Sequence, residues 1–192
     1  MIRIMKREVV LKWLKIFSIA FIFLYIIEFI DLLFFGNMQI NLEGEQVLLT
    51  NLIFSSEFIN LTSSISYIFL VSLSLTFLIF SMFLLRISIQ GKIENLRLSK
   101  IIFMAGLICL TADFIKLFYI YIIDTSIISI PPSTSYTFIE IVFNYSITPL
   151  FVEFMWFYII IVAAIMIFSG LILSGVGLQW FLKLENEAGK KK

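Results

Sequence analysis

Four long apolar stretches alternate along this chain with short basic patches and two longer mixed segments. Each stretch exceeds the roughly 20 residues that an α-helix needs to cross a bilayer. The pattern predicts spans over residues 11–35, 61–85, 101–123 and 149–176, with Gly36-Asn37 closing the first. The fold class expected is therefore all-α: one domain, residues 1–192, forming a polytopic, antiparallel four-helix transmembrane bundle with two outer interfacial segments.

Those two segments are too long to be simple turns. From Glu45 to Asn60, the apolar residues Val47, Leu48, Leu49, Leu52, Ile53, Phe58 and Ile59 recur at roughly helical spacing, which predicts a helix lying at the membrane surface. From Asp124 to Thr148 the chain opens extended through Ile130-Pro131-Pro132. It then offers Ser133, Thr134 and Ser135 as N-caps for a short helix over Tyr136 to Ser146, with β-branched residues leaving a strand as the alternative. No internal repeat is legible in the order of residues.

Charge adds direction to this pattern. Of the 14 Lys and Arg residues, all but Lys116 fall in three patches. Arg3, Lys6, Arg7, Lys12 and Lys15 precede or open the first span, and Arg86, Lys92, Arg97 and Lys100 lie between the second and third. Lys183 and Lys190 to Lys192 follow the fourth. The positive-inside rule then predicts a cell-membrane protein whose termini and middle loop are cytoplasmic. Trp13 and Trp180, at the inner ends of the first and fourth spans, are expected at headgroup level. A basic N-terminus followed by an apolar run resembles a signal peptide, but the run is too long and lacks a small-x-small cleavage site, so a retained anchor is expected.

Composition narrows the chemistry. At 61% hydrophobic and 14% charged, the chain departs far from a soluble domain. The absence of His and the single Cys109 exclude intramolecular disulfides, Cys-rich metal centres and His-ligated haem within this chain. No cofactor or metal is expected. Nucleic acid is not an expected partner either, because the basic patches are accounted for by orientation. Membrane lipid and other membrane protein subunits are.

Five ionisable residues fall inside the spans: Glu28, Asp31, Asp113, Lys116 and Glu153. Each costs about 2.5–3.5 kcal/mol at a helix centre on insertion scales, so together they are expected to face protein, water or one another. At about 1.5 Å per residue, Glu28, Lys116 and Glu153 reach a similar depth in the outer third of the membrane. Asp31 is expected above them and Asp113 below. Glu28 and Asp31, like Asp113 and Lys116, are three residues apart and share a helix face. The plain structural alternative is that Asp113 and Lys116 neutralise each other while the remaining acids are protonated or reach the surface.

Smaller signals concern packing. Gly106, Cys109, Asp113 and Lys116 form one stripe, and Gly170, Ser174 and Gly177 another that suits close helix approach. Tyr67, Ser74 and Ser81 form a polar seam on the second span. Asn60-Leu61-Thr62 and Asn144-Tyr145-Ser146 match the N-glycosylation pattern. The function expected is a non-catalytic membrane subunit that packs against partner chains and stabilises or regulates a larger complex. The alternative is a small proton- or cation-coupled transporter or channel built on the charged cluster.

Overall fold

The computed structural model describes residues 7–42, 44–54, 61–130, 134–144 and 146–189. Arg3, Lys6, Glu43, Phe58, Ile59, Asn60, Pro131, Pro132, Ser133, Tyr145 and Lys190 to Lys192 lie outside the described residues.

The chain is an all-α membrane bundle whose four long helices are α1 (Arg7–Gly36), α3 (Leu61–Gln90), α4 (Asn95–Asp124) and α6 (Leu150–Gly189). All four are long and apolar enough to cross a membrane. Each extends beyond the apolar stretch that predicts it, because polar residues at the ends continue the backbone hydrogen bonding. Arg7 donates to the carbonyls of Gly91 and Ile93, tying the start of α1 to the α3–α4 connection. Gly91 adopts φ 55° there, the left-handed conformation that stops a helix without a Cβ penalty.

Between α1 and α3, β1 (Gln39–Leu42) pairs antiparallel with β2 (Glu45–Leu48), and α2 (Leu49–Phe54) follows directly. Strands thus replace part of the helix expected from Glu45 onward. The competing signal is the alternation Gln39-Ile40-Asn41-Leu42, with Ile40 and Leu42 buried and the polar residues exposed. Gly44, at φ 94°, closes the turn, and its N–H donates to Asn41 Oδ1 at 3.0 Å. Between α4 and α6, β3 (Ile127–Ile130) pairs with β4 (Thr134–Thr137), followed by α5 (Phe138–Val142).

Thr137 caps α5, with Glu140 at the third helical position, while Thr134 and Ser135 fall in β4. Thr137 N–H donates to Glu140 Oε2 at 2.7 Å and Thr137 Oγ1 accepts from Glu140 N–H at 3.4 Å, a reciprocal capping box. These bonds hold the Glu140 carboxyl below the usual range for Glu.

The two connections are built alike. α1 and α4 have the same length, 30 residues. Each is followed by a hairpin of four-residue strands, a short helix and a second long helix. The junctions match in detail: Leu49 N–H donates to the Met38 carbonyl, and Phe138 N–H donates to the Ser126 carbonyl, both at 2.9 Å. The fold is therefore an internal repeat of helix, hairpin, short helix, helix. It escapes a sequence reading because equivalent positions carry different residues.

Two compact units make up the chain. The terminal unit comprises Met1–Leu24, Phe77–Phe114 and Ala164–Lys192. In it, α4 and α6 approach backbone to backbone: a Cβ on Gly106 would overlap Ser174 and Gly170, and one on Gly177 would overlap Phe103. Trp180 is buried here at 6% exposure, whereas Trp13 is 51% exposed.

The hairpin unit comprises Tyr25–Thr76 and Ile115–Ala163, one stretch from each half of the repeat. Its core joins Leu32, Phe35, Leu70, Trp156 and Ile159 of the long helices to Ile40, Leu52, Ile128 and Phe138 of the connections. Phe35 stacks on Trp156 with ring centroids 5.0 Å apart. The connections are thus seated on the helix ends, where burying their apolar side chains stabilises both partners.

Candidate functional site

The hairpin unit holds four of the five expected ionisable residues: Glu28, Asp31, Lys116 and Glu153. Glu28 and Lys116 meet directly. The Lys116 ammonium lies 2.5 Å from Glu28 Oε1, with side chains 3% and 0% exposed, respectively. Ser74 Oγ donates to the same oxygen at 2.5 Å, and the Lys116 Nζ lies 5.8 Å from the centroid of the Tyr25 ring. Three helices contribute to this centre: α1 supplies Glu28 and Tyr25, α3 supplies Ser74, and α4 supplies Lys116.

The meeting of Glu28 and Lys116 follows from the repeat. Glu28 stands as far before the end of α1 as Lys116 stands before the end of α4. Contact between equivalent positions of two like halves is the arrangement that a two-fold axis passing between them produces. Opposite charges let such a contact form in a low-dielectric interior, where like charges would repel. Sequence depth alone places the two at one level; in the structure they also occupy equivalent places in the repeat.

The remaining residues of the expected cluster are placed differently. Glu153, in the first turn of α6, is 8% exposed, and its Oε1 has no hydrogen-bond partner among the described residues. Asp31 is half-buried and lines a lateral groove of about 390 Å³ with Ile27, Ile30, Phe34, Met38, Phe151 and Met155. Its Oδ2 likewise has no hydrogen-bond partner among the described residues. Asp113 is fully buried but belongs to the terminal unit, as do Gly106, Gly170, Ser174 and Gly177.

The polar seam of α3 divides in two. Tyr67 donates across to the Leu32 carbonyl at 2.5 Å and Ser74 to Glu28, whereas Ser81 turns back to its own Phe77 carbonyl at 2.7 Å. Several polar contacts had no sequence signal beyond composition. Ser63 and Ser126 share a hydrogen bond, Ser64 donates to the Ile53 carbonyl at 2.5 Å, and Trp156 Nε1 donates to Asp124 Oδ1 at 2.8 Å. Tyr67 and Trp156 are equivalent in the repeat, and each anchors its helix to the final turns of the long helix before it.

No family model, curated protein or solved structure matches this chain. The Glu28–Lys116 centre and the Asp31 groove are therefore read on their own chemistry. The centre can hold a proton or a charge in balance, but its oxygen Oε1 already receives both Lys116 and Ser74. The groove offers a carboxylate to whatever occupies the side of the unit.

Proposed function

We propose that this chain is a non-catalytic subunit of a larger assembly in the cell membrane, with both termini cytoplasmic, which packs against partner chains and stabilises or regulates them. The observation that carries this reading is the closed state of the Glu28–Lys116 centre. Both side chains are almost fully buried, paired and buttressed by Ser74. The helices supplying them run unbroken past the pair. Such a pair holds helices in register, and a buried polar contact used for registry has precedent as a specificity device. Of the ionisable residues that the spans place in this unit, Asp31 is the one that lines the lateral groove. Lipid covers whatever surface partners leave free.

The test is native mass spectrometry of the protein extracted gently from its own membrane. Stoichiometric partner chains are the expected result. A lone chain, or a homo-oligomer alone, overturns the subunit reading.

One observation favours a second reading, a small proton- or cation-coupled transporter. In repeat-built transporters, coupling sites lie at the interface between repeats. Glu28 and Lys116 meet at the repeat interface, and Glu28 Oε2 and Glu153 Oε1 lack hydrogen-bond partners among the described residues. Under this reading Glu28→Gln abolishes proton- or cation-dependent flux in proteoliposomes that hold equal amounts of folded protein. Full flux in that variant removes it.

A further inference from the structure

The repeat supplies an internal control for the groove at Asp31. Position 31 in α1 corresponds to position 119 in α4, and position 69 in α3 to position 158 in α6, each pair counted from the first residue of its helix. At one seam, Tyr119 of α4 stacks flat on Phe69 of α3, with centroids 5.1 Å apart and planes 2° from parallel. That stack bridges α3 and α4. At the equivalent seam between α1 and α6, position 31 carries Asp and position 158 Tyr, so the α1 ring is replaced by a carboxyl group. A carboxylate has far less volume than a phenol ring, and here the groove of about 390 Å³ remains.

The walls of this groove are two helix faces, one from α1 and one from α6. Ile27, Ile30, Asp31 and Phe34 follow the spacing of one helix face, and Phe151 and Met155 lie one turn apart on the other wall. Phe34 and Phe151 are about three-fifths exposed, at 59% and 61%, and Met155 is buried at 4%. The lining is apolar except for Asp31. A lone carboxylate at membrane depth is costly, and so is a lone Lys or Arg on another helix; bringing them together reduces both costs. A second copy of this chain is a poor occupant, because Lys116 is the only Lys or Arg of the hairpin unit and it is 2% exposed against Glu28.

We infer that the α1–α6 groove of the hairpin unit is the docking site for a transmembrane helix of a different chain, carrying a Lys or Arg that pairs with Asp31. This rests on the subunit reading and names the chemistry of the partner. Photo-crosslinking amino acids placed at Phe34 and Phe151 in intact native membranes test it. Ile122 and Thr62, the equivalents on the seam that carries the aromatic stack, serve as controls. The expected result is a discrete protein adduct from positions 34 and 151 and none from 122 and 62. The captured peptide maps to a membrane span with Lys or Arg within a turn of the crosslink. The adduct falls at least about fivefold in Asp31→Asn and is retained in Asp31→Glu, as pairing of charges in low dielectric requires. Adducts to lipid alone, to a second copy of this chain, or to a span without a basic residue overturn the inference, as does an undiminished adduct in Asp31→Asn. Stoichiometric partners in native mass spectra, combined with any of those results, leave the subunit reading standing and remove only the groove.

Discussion

Lys116 is the residue on which the hairpin unit's electrostatics turn. Its ammonium sits 2.5 Å from Glu28 Oε1 with both side chains almost fully buried, and removing either partner strands a charge there. Breaking a buried pair from one side costs about 3–5 kcal/mol, whereas replacing both partners by apolar groups is often neutral or stabilising. Ser74 does not upset that expectation, because its hydroxyl has the Leu70 carbonyl as a second acceptor at 3.1 Å. Lys116→Met and Glu28→Leu alone are therefore expected to lower stability strongly, and the double variant to recover most of the loss. Reversible unfolding in mixed micelles measures all four proteins in one series. A double variant as unstable as the worse single one shows that the pair is not an isolated unit. Which residues carry membrane-interior charge was legible in the sequence, since five such residues stand out against an apolar background. Which acid Lys116 pairs with was not, because i,i+3 spacing draws attention to Asp113 on its own helix while cross-helix registry brings in Glu28.

Among the elements, the long helices were legible to within their polar ends, and the connections only in part: a short helix lies within each expected stretch, α2 and α5, but the hairpins before them were not foreseen. Periodicity finds a helix where apolar residues recur over several turns, but Glu45 to Phe54 is too short for period to outweigh a Gly44 turn and an alternating strand before it. The small-residue stripes show the opposite case. Gly106 on α4 and Gly170, Ser174 and Gly177 on α6 read as two separate packing faces, and in the terminal unit they face each other. A glycine matters here only where a neighbour occupies the space of its missing Cβ. Gly106→Ala is expected to force the two backbones apart, at a cost of about 1–3 kcal/mol, the range typical of overpacking. Gly175→Ala, in the same unit but with nothing within 4 Å of its Cβ, is the matched control and should be neutral or mildly stabilising. Thermal melts of the two variants distinguish packing from backbone propensity. Equal losses show that the stripe is not a contact.

At the scale of the whole molecule, the repeat makes a prediction that neither residue alone makes. If positions 28 and 116 are equivalent, exchanging their charges should rebuild the pair. Glu28→Lys alone places two ammonium groups together, and Lys116→Glu alone places two carboxylates together, so each single variant loses the attraction and adds repulsion. The exchanged double variant restores opposite charges at the same contact. It is not expected to reach wild-type stability, for reasons visible in the flanking residues. A lysine at position 28 would gain Asp31 three residues on, a favourable helix neighbour, but a glutamate at position 116 would acquire Asp113 at the same spacing as a like charge. The ammonium would also leave its present place beside the Tyr25 ring, forfeiting a cation–π contact of about 0.5–2 kcal/mol. The expected order is wild type, then the exchanged pair, then both single variants, read from unfolding midpoints under one set of conditions. An exchanged pair no better than the single variants means that the two halves of the hairpin unit are alike in outline only, with the charge contact fixed by local packing and not by the repeat.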